Sequence, residues 1–264
     1  MKSEIYIDQL SRKVSIKNFP QRIISLVPSQ TELLFDLGLE KEVIGITKFC
    51  VHPNAWFRNK ERIGGTKKIN FEKIKALQPD LIIGNKEENQ KDQIEELMKH
   101  YPVWMSDIKN LDDALEMITS VGEITNTKEK ANPIASEIKN RFEKFSLLTS
   151  HFSLSETAYF IWKKPYMVAG SGTFIDSMLQ QCGFKNVFEK TRYPEINEEQ
   201  IRAANPQLIL LSSEPYPFKE KDVEEFKKIC PDAKVLIVDG EIFSWYGSRL
   251  LHAPAYFEAL LKSL

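Results

Sequence analysis

The sequence predicts an α/β protein: two similar α/β lobes with parallel-type sheets, joined by a single long connecting helix, with a ligand cleft between the lobes. Three observations predict it. Short buried strands alternate with amphipathic helices along the chain, the pattern of a parallel α/β sheet. A 22-residue segment, Thr127–Leu148, holds Ala131, Ile134, Ile138, Phe142 and Phe145 at helical spacing and reads as a stiff connector. Third, the run from Asn70 to Ile82 recurs from Asn197 to Ile209 at a constant offset of 127, with seven of 13 positions identical. A chain of 264 residues is long enough for two such lobes. The boundaries read as an N-terminal lobe over 1–126, the connecting helix over 127–150 and a C-terminal lobe over 151–264.

The elements follow in order. Ile5-Tyr6-Ile7 and Val14-Ser15-Ile16 alternate around a turn and predict a hairpin. Arg22–Leu26 is a buried strand, and Ser29 with Glu32 three residues on has the pattern of a capping box. The helix after it buries Leu33, Leu34 and Leu37 and stops at Gly38. Val43–Ile46 is a strand, and Asn70 caps a helix over Phe71–Leu77 that Pro79 ends before the strand Leu81–Ile83. Helix over Gln90–His100, strand over Val103–Met105 and helix over Leu111–Ile124 complete the first lobe. Pro133 near the start of the connector sits where a first turn tolerates it. Beyond it, the strand Thr157–Trp162 leads to Gly170-Ser171-Gly172-Thr173, which opens a helix stopping at Gly183. Helix Asn197–Ala204, strand Leu208–Leu211, helix Lys219–Ile229, strand Val235–Val238 and a final helix Ser248–Leu264 follow.

Composition narrows the function. Thirty-six Lys and Arg against 37 Asp and Glu leave a net charge of −1, which argues against a nucleic-acid partner. The longest aliphatic runs hold four residues, far short of the ~20 that span a bilayer. Cys50, Cys182 and Cys230 form neither a disulfide framework nor a zinc pattern. No apolar segment of a secretory signal follows Lys2, so the sequence leaves open a cytoplasmic protein or a form without its export segment. No P-loop, nucleophile elbow, HExxH or dinucleotide fingerprint occurs.

Three groups of residues remain. Gly170–Thr173 at a helix start could hold an anion, or simply cap the helix. Cys50 and His52 are the close pair of soft ligands, and with His252 they sustain the alternative of a cytosolic metal-dependent or redox enzyme on the same scaffold. His100 and His151 sit in polar helix-end contexts. Aromatics say more: Phe49, Trp56, Trp162, Tyr166, Tyr193, Tyr216, Phe243, Trp245 and Tyr246 read as strand-end or loop residues, where α/β sheets place ligands. Lys67 and Arg249 could supply polar anchors.

Arg22-Ile23-Ile24-Ser25-Leu26-Val27-Pro28-Ser29-Gln30-Thr31-Glu32-Leu33, Gly45-Ile46-Thr47 and the Asn70–Ile83 stretch resemble the cobalamin- and iron-siderophore-type substrate-binding proteins of ABC importers, the helical-backbone metal receptors. The resemblance covers about Ile5 to Leu264. It implies a non-enzymatic periplasmic protein, monomeric and without an intrinsic cofactor, that binds cobalamin or another corrinoid first, and haem or a ferric siderophore second. It implies a permease partner docked through one surface glutamate on each lobe, here Glu72 and Glu199. It places pocket residues at Phe49, Thr66, Asn85, Trp162, Tyr193 and Trp245.

Overall fold

The computed structural model describes residues 3–149 and 155–264. The chain divides into two compact units. The first comprises Met1–Ile108, Asp112–Lys139 and Tyr246–Leu251; the second comprises Lys109–Leu111, Asn140–Trp245 and His252–Leu264.

In the first unit, β1 (Ser3–Ile7) and β2 (Lys13–Lys17) pair antiparallel as the hairpin read from the sequence. Asp8 pins its turn, accepting from the backbone N–H groups of Leu10 and Arg12 and from the Arg12 guanidinium. The main sheet contains β3 (Ile23–Ser25), β4 (Val43–Ile46), β5 (Glu61–Arg62), β6 (Leu81–Asn85) and β7 (Val103–Ser106). All are parallel, in the order β5-β4-β3-β6-β7. The order turns back between β3 and β6, and the loops at the carboxyl ends of those two strands flank the switch point where open α/β sheets take ligands. Every residue of β6 is buried, as a central parallel strand requires.

Helix α1 (Pro28–Asp36) corrects one expectation. Pro28 takes the first helical turn, so Val27 is the cap residue and Ser29 lies inside the helix. The short α2 (Asn54–Asn59) had no readable periodicity. Helix α3 (Phe71–Leu77) is capped as expected, with Asn70 accepting from the Lys73 N–H at 3.0 Å. Helices α4 (Lys91–Met98) and α5 (Leu111–Ile124) match their predicted spans closely. Gly122 lets α5 meet α6 (Lys128–Thr149): a Cβ there would lie 2.3 Å from the Ala131 Cβ. Pro133 lies inside α6, beyond the first turn. The division between the units runs through this helix, at 139/140.

In the second unit, β8 (Ser155–Trp162) pairs parallel with β10 (Phe184–Asn186) and β12 (Leu208–Ser212), and β12 with β13 (Lys234–Val238). Two short strands absent from the sequence reading, β9 (Tyr166–Val168) and β11 (Glu195–Ile196), join antiparallel. Helices α7 (Phe174–Gln181), α8 (Glu198–Ala204) and α9 (Glu220–Ile229) follow the predicted starts. The short α10 (Gly240–Ser244) follows β13. The expected final helix is two pieces: a 3₁₀ turn over Ser248–Leu251, then α11 (Ala253–Ser263), with Pro254 in the first turn that restarts the chain. Phe142 and Phe145 of α6 pack against Phe257 at ring separations of 6.4 and 6.0 Å.

The repeat is structural as well as sequential. Asn197 caps α8 as Asn70 caps α3. Each helix ends on a left-handed residue at the same offset, Gln78 (φ 45°) and Asn205 (φ 43°), before a proline and a fully buried strand.

Candidate functional site

The residues singled out in the first unit gather at the carboxyl ends of its parallel strands. Phe49, in the loop after β4, is 51% exposed, with the Lys48 ammonium 5.0 Å above its ring. Its other edge lies against Gly65, where a Cβ would come within 3.0 Å of the Phe49 Cε2. Thr66 follows Gly65 in the loop after β5, and its backbone oxygen accepts from the Asn89 amide at 3.1 Å. Lys67 donates to the Glu87 backbone oxygen at 2.6 Å.

Asn85 ends β6 at the switch point but presents no free amide. Its Nδ2 donates to Ser106 Oγ at 2.9 Å, and its Oδ1 accepts from the N–H groups of Glu87 and Glu88. It is buried and shapes the loop. Gln30 donates to the same Ser106 oxygen at 2.7 Å, tying α1 into this network.

Arg249 is committed too. Its guanidinium makes a two-point pair with Glu32 of α1, at 2.9 and 2.7 Å, while Ser248 donates to Asp36 one turn along. Burial raises the Glu32 carboxyl above its usual range, and Arg249 opposes that shift. The arginine read as a ligand anchor therefore holds the 3₁₀ turn to α1.

Cys50 is corrected more sharply. It is fully buried, with its sulfur 3.0 Å from Thr31 Oγ1 and 3.1 Å from Thr47 Oγ1. Burial raises its thiol pKa against the help of those hydrogen bonds, opposite to what a nucleophile or metal ligand needs. His52 is half-buried, and His252 is exposed just before α11. Among the described residues no three His, Cys, Asp or Glu side chains are arranged to hold a metal ion. His151 lies outside the described residues. Cys182 and Cys230 are buried as well. A thiol reagent added to the native protein should therefore modify none of the three cysteines until denaturant is added. Rapid native-state labelling of Cys50 would revive the enzyme alternative.

In the second unit, Gly170–Thr173 is a cap. Thr173 accepts from the Asp176 N–H at 3.1 Å, and the Asp176 carboxylate accepts from the Gly172 N–H, so the chain fills its own helix start. The aromatics separate into two groups. Trp162 ends β8, 38% exposed, and meets Tyr216 edge-on at 5.6 Å. Tyr193, Tyr166 and Tyr216 are half-buried. Phe243 is core, packed on Tyr159 and Phe257, and in the first unit Trp56 is core, donating to Glu40. Tyr246 is buried too. Trp56 and Phe243 turned inward because α2 and α10 occupy what reads as loop.

Trp245 is buried, and its indole N–H donates to Glu214 at 3.0 Å. The sequence reading missed Glu214, which lies 31 residues upstream in the loop after β12. Ser244 also donates to it, at 3.0 Å. Glu72 and Glu199 are exposed in the first turns of α3 and α8.

Residues 23–229 match the family described as periplasmic binding protein. The chain belongs to that family. A vitamin B12-binding protein of Pectobacterium carotovorum subsp. carotovorum is 26% identical over 250 residues, covering 93% of this chain and 90% of its own. Two solved structures share the fold. The periplasmic vitamin B12 binding protein BtuF of Vibrio cholerae superposes with a TM-score of 0.81 at 22% identity, over 92% of this chain and 97% of that one. A periplasmic heme binding protein from Pseudomonas aeruginosa gives 0.79 at 20% identity, over 92% of each chain. As in other periplasmic binding proteins, the fold is two sheet-bearing α/β units. Among the described residues no helix is long and apolar enough to cross a membrane.

Proposed function

We propose that this periplasmic binding protein is the substrate-binding component of an ABC importer. It takes up a metal chelate, cobalamin or a related corrinoid first and haem or a ferric siderophore second, and delivers it to a permease without chemical change. The observation that carries the reading is that the likeness to vitamin B12-binding proteins runs through both units and not one sheet alone. Each unit offers a ligand partly exposed aromatics in its own loops and strand ends, Phe49 in the first unit and Trp162 and Tyr193 in the second, with buried Trp245 behind them and the first unit's loops ordered by Thr66 and Asn85. The chelate is cargo, and the protein holds no cofactor of its own. It works as a monomer in the periplasm. Glu72 and Glu199 dock the permease.

Titrating cyanocobalamin, cobinamide, haemin and ferric siderophores while following the four tryptophans tests this directly. Trp162 and Trp245 should report binding as quenching that saturates at one ligand per chain. A flat response to every chelate would overturn the ligand class.

A further inference from the structure

We infer that Glu214 selects the periphery of the ligand, accepting amide N–H groups with one carboxylate oxygen and turning away chelates fringed with anions. The inference rests on the reading of this protein as a metal-chelate carrier. It adds a specificity residue to that reading.

Glu214 stands just past the carboxyl end of β12, the strand between β8 and β13. Its position is fixed from three sides. Oε1 accepts from the Trp245 indole and the Ser244 hydroxyl, and its backbone oxygen accepts from the Ser212 hydroxyl. Those contacts use one carboxylate oxygen. Oε2 has no partner among the described residues, and no lysine, arginine or histidine there pairs with the side chain.

A purely structural role explains this poorly. Two neutral donors on one oxygen would be satisfied by an amide oxygen, with no charge to desolvate. A half-buried carboxylate without a counter-ion is costly, and this one sits among other acids. Glu241, in the first turn of α10, and Asp239, which caps that helix just past β13, add to burial in raising its carboxyl pKa. The remaining oxygen is therefore an acceptor in a negative field. Such a site takes N–H or O–H donors and repels carboxylates, phosphates and catecholates. Tyr216, two residues on and edge-on to Trp162, supplies apolar surface beside it. A neutral macrocycle rimmed with carboxamides fits this combination; a macrocycle bearing propionates does not.

Two corrinoids with the same ring separate the cases. Dicyanocobinamide carries carboxamide side chains, and dicyanocobyrinic acid carries carboxylates. The intact protein should bind the first about 100-fold more tightly than the second. Glu214→Gln keeps an oxygen for Trp245 and Ser244 but replaces the free acceptor with a donor. It should weaken cobinamide about tenfold and strengthen the carboxylate form, with unchanged thermal unfolding. A merely structural role would not invert that preference. Equal binding of the two corrinoids by the wild type, or an unchanged ratio in Glu214→Gln, overturns the inference while the carrier reading stands. Binding of haemin with neither corrinoid does the same. Failure to bind any chelate overturns both. Should the variant not fold, the wild-type comparison of the two corrinoids still decides against the inference when they bind equally.

Discussion

Replacing Lys163 with methionine should cost about 3–5 kcal/mol of stability, measured by urea unfolding at neutral pH. Lys163 follows Trp162 at the end of β8, and its side chain is 8% exposed. Its ammonium sits 2.6 Å from Asp222 and 2.7 Å from Glu225, both on α9. Asp222 is 1% exposed and also accepts from the Lys219 N–H at the helix start. Tyr166 closes the network by donating to Glu225 at 2.6 Å. Methionine keeps the aliphatic stem and removes the charge, so Asp222 would be left buried and uncompensated. An exposed pair lost in the same way would cost at most ~1 kcal/mol.

The pH dependence tests the cause. Burial acts to raise the carboxyls of Asp222 and Glu225, but their hydrogen bonds and the Lys163 charge outweigh it, and both are held below the usual carboxylate range. Their contribution is present above the unfolded-state value of roughly 4 and is lost as pH falls through the lower folded value. In Lys163→Met the sign reverses at Asp222: with the ammonium gone, burial outweighs the remaining Lys219 N–H bond, its pKa rises, and protonation relieves the buried charge. The gap between wild type and variant should therefore close below about pH 4. A loss under 1 kcal/mol, or a gap independent of pH, would assign the network to the surface class. The same pair anchors the turn beside Trp162, so chelate affinity should fall with stability.

Local signals were legible. Asn70 and Asn197 are strong caps, Gln78 and Asn205 precede prolines, and buried β-branched and leucine runs mark the central strands. Elements too short for a period were not. Helices α2 and α10 span six and five residues, and β9 and β11 three and two, so none completes a pattern that distinguishes helix from strand. Ser29 read as a cap because the serine-to-glutamate spacing fits, yet Pro28 before it already supplies a preset first turn. The polar groups that give the site its character were hidden for another reason. Lys163 meets Asp222 across 59 residues and Glu214 meets Trp245 across 31, and no local spacing encodes such pairs. Arg249 was singled out from the sequence, but its partner Glu32 lies 217 residues away, and that pairing turns an apparent anchor into a brace.

Glu72→Ala and Glu199→Ala should each weaken binding to the permease by about 2 kcal/mol or more, while leaving fold and chelate affinity unchanged. Both carboxylates occupy first turns behind an asparagine cap, both are exposed, and neither has an ion-pair partner among the described residues. Their neighbours are neutralised at home: Lys73 pairs with Glu61, and Glu198 pairs with Arg202 at 2.8 Å. That leaves one uncommitted acid at each matching position of the repeat. An exposed acid in a first turn contributes only ~0.3–1 kcal/mol to its own helix, so neither alanine variant should shift thermal unfolding by more than about 4 °C. Against arginines on a partner, the same carboxylate makes a charge-assisted contact at a partly desolvated surface, where losing it costs several times more. Glutamine at either position keeps size and polarity without charge, and should reproduce most of the alanine effect if charge is what the partner reads. The decisive measurements are chelate titration and permease binding in reconstituted membranes on the same preparations. Intact transport in Glu72→Ala/Glu199→Ala would remove the docking role, and these glutamates would then be first-turn acids that serve their helices alone.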